Sequence, residues 1–244
     1  MGSKLNNTLQ KNNAERNCLT KHSSGWLTAT ADLNRWASEF VRGESIKEPL
    51  LVLNVGWMKK YKGLEDDELT DGGAYVGEHG WGGEILNFLP FQGALYGYVQ
   101  PPGKKQVPFN SRIIRIERLG ASAISSFVDG VLVAWAARKP AGGTYLIGWY
   151  QNATVFREWQ KPPEGSMRMF QGEPLGYYVR AKEDDCVLLN PEQRTLRVPR
   201  ASDPVNRGKG GIGQANLWFA DSGKPNDLKF TQDFKSLVQR YKSK

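Results

Sequence analysis

A chain of 244 residues with 39% hydrophobic content can bury one sizeable core, while two far-separated cysteines, Cys18 and Cys186, exclude a disulfide framework or a cysteine-based zinc cluster. Lys and Arg outnumber Asp and Glu by 33 to 25, a net charge of +8 with a pI near 9.4, which favours polyanionic partners and says nothing about fold. No apolar run approaches a membrane span, and the polar start M-G-S-K-L-N-N lacks the apolar segment of a signal peptide, so a cytoplasmic protein without membrane contact is expected.

In chain order, residues 1–25 are rich in Asn, Lys and Ser and read as a disordered arm, followed by one globular domain over 26–244. Leu33, Trp36, Ala37, Phe40 and Val41 recur at helical spacing, which predicts a helix over 31–42. The continuous apolar run L-L-V-L-N-V at 50–55 predicts a strand buried on both faces. The acidic, glycine-rich segment 58–83 is a long excursion of the kind that carries function. Further strands are predicted at 94–99, 113–119, 131–136, 177–181 and 186–189, with an edge at 195–198. Residues 143–159 read as a hairpin whose turn is Gln151-Asn152, placing Trp149 and Tyr150 at a strand end. A basic glycine-rich loop spans 201–216. Phe230, Phe234, Leu237, Val238 and Tyr241 share one face of a closing helix at 228–242. Strands over about 50–200 with helices at both ends predict an α+β domain built round a small barrel.

Chemistry is sparse. Two histidines, His22 and His79, leave no histidine-rich metal site and no two-histidine nuclease motif, so neither metal nor cofactor is expected. The Asp-x-Lys pairs at Asp227 and Asp233 fall in the closing helix, whose apolar spacing already explains them. Gly208-Lys-Gly210-Gly-Ile-Gly213 has the spacing of a dinucleotide fingerprint, but P-R-A-S-D-P-V-N-R before it is no strand, so the motif fails on context. The loop can still offer backbone N–H groups and the cations Arg207 and Lys209 to a phosphodiester, with Arg194, Arg197 and Arg200 just upstream. Glu78, Glu84 and Asp129 are the carboxylates available for acid–base work, although Asp129-Gly130 also reads as a turn. Aromatic residues at strand ends or in glycine-rich loops, notably Trp57, Trp81, Trp149, Tyr150 and Trp218, suit stacking on a base, and they equally suit plugging a barrel.

Three stretches carry a resemblance: I-L-N-F-L-P-F-Q-G-A-L-Y-G-Y-V-Q-P-P-G (85–103), D-G-V-L-V-A-W-A-A-R-K-P-A-G-G-T-Y-L-I-G-W-Y-Q-N-A-T-V-F-R (129–157) and G-K-G-G-I-G-Q-A-N-L-W-F-A-D (208–221). Together they resemble a bacterial domain found beside HNH nucleases and other defence modules, of the PUA-like group of modified-base readers that includes the EVE, ASCH, YTH and SRA families. The resemblance implies a strongly bent PUA-like β-barrel with flanking helices and a pocket for a modified base. The EVE and YTH signatures are absent, so no pocket residue is carried over singly.

The resulting expectation is recognition of double-stranded DNA bearing a modified base, such as hydroxymethylated or glucosylated cytosine, in anti-phage defence, with the involvement of a partner nuclease left open. The base would be flipped into a pocket drawn from Trp57, Trp81, Asn87, Trp149, Tyr150, Gln151 and Asn152, with phosphates held by Arg194, Arg197, Arg200, Arg207 and Lys209. Two alternatives stay open. One is a DNA glycosylase using Asp129, Glu84 or Glu78, and the other is an RNA-binding module of the same fold.

Overall fold

The computed structural model describes residues 48–104 and 107–242. The predicted arm at 1–25 and helix at 31–42, with Cys18 and His22, lie outside them. From Glu48 onward the chain is a compact α+β unit with two helices and a seven-stranded sheet among the described residues. No helix of these residues is long and apolar enough to cross a membrane.

The strands are β1 (Leu50–Val55), β2 (Ala94–Gly97), β3 (Phe127–Arg138), β4 (Thr144–Gln160), β7 (Tyr177–Lys182), β8 (Cys186–Leu188) and β9 (Leu217–Trp218), in the order β2-β7-β4-β3-β1-β9 with β8 also on β4. A separate two-stranded ribbon joins β5 (Met169–Phe170) to β6 (Glu173–Pro174). β1 runs parallel to β3 and antiparallel to β9. The helices are α1 (Gly73–His79), inside the acidic excursion, and α2 (Pro225–Lys242) at the end.

The unalternating run of β1 follows from its place in the sheet. Leu51, Leu53 and Val55 enter one core with Trp135, Tyr150 and Tyr178, while Leu50 and Val52 enter a second core under α2. A strand covered on both faces has no polar side to show. α2 lays Phe230, Phe234 and Val238 on the sheet, each worth about 1.5–3 kcal/mol against exposure. This docking stabilises the helix more than its own propensities do.

Beside the first core, Arg168 is buried. Its guanidinium donates to the carbonyls of Leu86 (2.8 Å), Leu175 (3.0 Å) and Gly176 (3.4 Å), tying the β5–β6 ribbon down. Burial pulls its pKa down to about 10, which still leaves it charged at neutral pH.

Three predicted features are corrected. Gln151-Asn152 is no turn: β4 continues through it for 17 residues, and the β3–β4 hairpin turns at Pro140–Gly143. Between Val131↔Ala153 and Val133↔Tyr150, β4 advances three residues against two on β3, so Asn152 sits in a bulge at φ 48°. A second shift, between Trp135↔Gly148 and Ala136↔Leu146, changes the phase of the side chains, so that Leu146 and Trp149 share the α2 face while Ile147 and Tyr150 face the other core. Asp129-Gly130 likewise lies inside β3 at a register shift, with Gly130 at φ 72°, rather than in a turn before the strand. Finally, Ile116–Leu119 forms a 3-10 turn where 113–119 predicts a strand.

Candidate nucleic-acid interface

Most of the expected base pocket proves to be structural. Trp149 and Tyr150 are both 0% exposed because they stand mid-strand in the centre of the sheet. Trp149 packs edge-on against Phe234 and Tyr241 of α2, and Tyr150 meets Trp135 and Phe88 and donates its hydroxyl to the Asn87 carbonyl. Neither ring offers a face to a base. Asn87 is buried too: its side chain closes two hydrogen bonds with the backbone of Tyr98, at 2.9 and 2.8 Å. Gln151 is buried, and Asn152 is exposed with its amide 3.4 Å from an Asp185 oxygen. The five are not brought together as a pocket.

Trp57 and Arg194 correct each other's predicted roles. The Arg194 guanidinium, from a residue only 4% exposed, donates to the carbonyls of Met58 (2.6 Å), Lys59 (2.7 Å) and Leu189 (3.0 Å) and lies 4.7 Å over the buried Trp57 ring. Burial lowers the Arg194 pKa. Three of its five N–H donors go to backbone carbonyls and the residue is buried, which turns it away from solvent, and it covers the ring that was to stack.

Trp81 stays half-exposed, in an aromatic patch with Tyr75 (5.6 Å) and Phe170 (5.0 Å) and with His79 against Tyr75 (4.3 Å). The charges there have the wrong sign for a polyanion. Exposed Glu78 lies on the same short helix, and Glu173 pushes the Tyr75 pKa up after burial does.

The carboxylates read as catalytic are likewise dispersed. Glu78 is exposed on α1, and Asp129 accepts a hydrogen bond from Thr154 at 2.5 Å. Glu84 is buried and accepts from the Gly56 N–H (3.3 Å), and burial raises its pKa above the usual 4.5. No hydrogen bond joins the three among the described residues, nor do three or more His, Cys, Asp or Glu there group to hold a metal.

The raised Glu84 pKa has a stability consequence. Below pH 4.5 the carboxyl is neutral both folded and unfolded. As pH rises further the unfolded chain ionises first, so stability falls until the folded pKa is passed. Glu84→Gln keeps the acceptor for Gly56 and removes the ionisation. It should flatten that loss and raise Tm at pH 7 by about 2–4 °C, the effect of about 1 kcal/mol in a domain of this size. Thermal melts of both proteins across pH 4–8 check it.

What the structure does build is a cleft of about 210 Å³ where the basic glycine-rich loop meets the start of α2. The loop closes on itself through a bridge between Arg200 and Ile212, whose side chain is an apolar anchor. It is fastened to α2 by Asn226, which donates from its backbone to the Lys209 carbonyl (2.9 Å) and from its side chain to Asn206 Oδ1 (3.2 Å) and the Gly210 carbonyl (3.0 Å). Two glycines are required. A Cβ at Gly210 (φ 92°) would lie 2.1 Å from Asp227 Oδ1, and one at Gly211 (φ 121°) would lie 2.6 Å from the Pro199 carbonyl oxygen.

Arg118, Asn206, Gly210, Trp218, Ser222 and Asp227 are among the residues lining the cleft. Arg118 is spent on Asp221 in a bidentate pair and lies 4.1 Å over Phe219. Exposed Arg207 and Lys209 on the loop, and exposed Lys224 on the cleft wall, have no carboxylate partner among the described residues. Exposed Arg197 is also without one, while half-buried Arg200 donates to Asn54 Oδ1 at 3.3 Å. Of the five predicted phosphate ligands, four therefore keep access to solvent.

Ser222 and Lys224 carry no signal in the sequence, and Asp227, noted there only in an Asp-x-Lys pair, is explained away by the apolar spacing of the closing helix. The available signal was the failed fingerprint itself: its glycines do meet a helix start, but that of a helix reached only after β9 intervenes. Compared with known proteins, the chain matches no protein-family model, no curated protein and no solved structure.

Proposed function

We propose that this chain binds DNA carrying a modified base and belongs with the PUA-like readers, with the phosphate backbone held by the basic glycine-rich loop and the base received by the cleft beside it. The observation that carries the reading is the pairing of that cleft with exposed Arg207, Lys209 and Lys224, which have no carboxylate partner among the described residues, on a chain of net charge +8. Cations without carboxylate partners are free to exchange counterions for phosphates, whereas a charge already in an ion pair gains little. The cleft is smaller than the roughly 300–1,000 Å³ of sites that enclose a drug-sized ligand. That suits one flat ring with its sugar and phosphate left outside. A mixed sheet with one helix packed on its face is compatible with the strongly bent barrel of the PUA-like group.

Binding without chemistry is favoured over base excision, because none of Glu78, Glu84 or Asp129 lines the cleft, and of the two carboxylates that do, Asp221 is paired with Arg118 and Asp227 is held by Ser222. The test is a gel shift of the purified protein with phage DNA bearing unmodified, hydroxymethylated or glucosylated cytosine, each reaction then treated with alkali. A shift confined to modified DNA, with no breaks, is expected. Alkali-dependent breaks would replace the reader by a glycosylase, and tighter binding to single-stranded RNA would replace DNA by RNA.

A further inference from the structure

The cleft holds one polar atom with nothing to do. Asp227 is 1% exposed, and its Oδ2 accepts from the backbone N–H (3.0 Å) and the hydroxyl of Ser222. Its other oxygen, Oδ1, is sealed from solvent and has no hydrogen-bond partner. That oxygen lies immediately under Gly210, in the space that any side chain there would fill, and both residues line the cleft. Buried acceptors are nearly always paired, because an unpaired one forfeits its solvation and receives nothing in return.

We infer that Asp227 Oδ1 is the specificity-determining acceptor of this cleft and that the ring it receives carries an exocyclic amine, as cytosine does. This inference rests on the base-binding reading above. The donor-free oxygen calls for a hydrogen-bond donor, and Oδ2 is already committed, so an N–H directed at Oδ1 completes the side chain. Oδ1 is covered by the Gly210 backbone, so an exocyclic amine, which projects beyond its ring, reaches it once that glycine shifts aside, and then bonds as cytosine N4 does with acidic side chains. The imide N–H of thymine is set back between two carbonyl oxygens, and both would meet the negative charge. Trp218, resting on Phe230 at 5.3 Å, supplies the apolar wall, while Lys224 at the rim is left for the phosphate. Gly208, Gly210 and Gly211 all adopt positive φ and place no side chain over the ring's path.

The conservative substitution inverts the chemistry. In Asp227→Asn the amide oxygen stays with the two Ser222 donors, and the NH2 group takes the place of Oδ1. An acceptor becomes a donor with no change in volume.

Wild type and Asp227→Asn are compared, by fluorescence anisotropy, on duplexes carrying 5-hydroxymethylcytosine, its N4,N4-dimethyl derivative or thymine at one position. The N4,N4-dimethyl ring has no N–H to give, so wild type should lose about tenfold or more in affinity for it, the loss that goes with a hydrogen bond to a charged group. Asp227→Asn should lose this discrimination and gain on thymine. A folded Asp227→Asn, by its melt, that keeps the wild-type preference overturns the inference and leaves DNA binding standing. Should the variant not fold, the wild-type comparison decides alone, equal affinity for the dimethyl base overturning the inference. Deoxycytidine and thymidine are titrated in parallel, with the Trp218 indole N–H followed by NMR. If no duplex binds but deoxycytidine alone moves that resonance, the nucleic-acid reading fails and the Asp227 inference survives. Silence in both arms removes both.

Discussion

Trp149→Ala should unfold or severely destabilise the protein, with a loss of about 3–5 kcal/mol, the range for removing a buried Trp. Trp149 is wholly buried, on the face of β4 that receives α2, against Phe234 and Tyr241. Its removal leaves a cavity between sheet and helix, where neither side can collapse without giving up β4 pairings or the helix dock. Domains of ordinary stability hold only about 5–15 kcal/mol in total, so this one side chain is a large share. Trp149→Phe is the informative companion. The indole N–H is buried without a partner, so its loss costs nothing and only part of the ring volume disappears. Trp149→Phe should therefore fold and bind DNA as wild type does. Urea melts of the three proteins decide the matter. If Trp149→Ala folds normally but loses only its preference for modified DNA, the ring is a stacking platform after all, and the cleft beside α2 is the wrong site.

Arg207→Ala combined with Lys209→Ala should weaken DNA binding on the order of tenfold to a hundredfold at about 50 mM salt and lower the slope of log K against log salt by about 2. Each phosphate contact contributes about 0.9 to that slope, and both side chains are exposed and without an ion pair among the described residues, so none is lost there with them. The loop itself should persist, because its fastenings are the backbone of Lys209, the side chains of Asn206 and Asn226 and the buried Ile212, none of which the double variant removes. Lys229→Ala serves as the control: it already faces Asp233 at 2.7 Å one turn along α2, and its loss should leave the slope unchanged. Anisotropy titrations at several salt concentrations give the slopes. An unchanged slope in the double variant would take the phosphate track away from this loop.

The two variants probe different terms. The tryptophan acts through packing, which salt does not screen. The loop cations act through counterion release, which salt abolishes. A thermal melt should register the first and ignore the second, and the salt slope should do the reverse.

Much of the architecture is legible in the sequence because local pattern and local structure coincide there. The apolar run at 50–55 becomes the doubly covered β1, and the stripe Phe230, Phe234 and Val238 becomes the docked face of α2. The short apolar runs at 94–99, 177–181 and 186–189 become β2, β7 and β8. These features depend on burial and periodicity, which a chain carries from residue to residue.

What the sequence could not decide was everything that depends on register. Alternation in 143–159 places Trp149 beside a turn only if β4 stops at Gln151, and the β3–β4 ladder absorbs that residue pair as a bulge instead. Each bulge changes which core the following side chains meet, and a bulge is set by the partner strand. Arg194 reads as one more cation in a basic run, yet carbonyls more than 130 positions upstream use its donors. Asp227 reads as an ordinary helix residue until the glycine loop folds over it and leaves one oxygen unpaired. The sequence by itself determined the class of fold, the basic character and the loop that concentrates it, because these follow from composition and short-range pattern. Only the tertiary structure decided which aromatic rings are core, which arginines are spent on backbone and where a cleft opens, because each of these depends on partners distant in the chain.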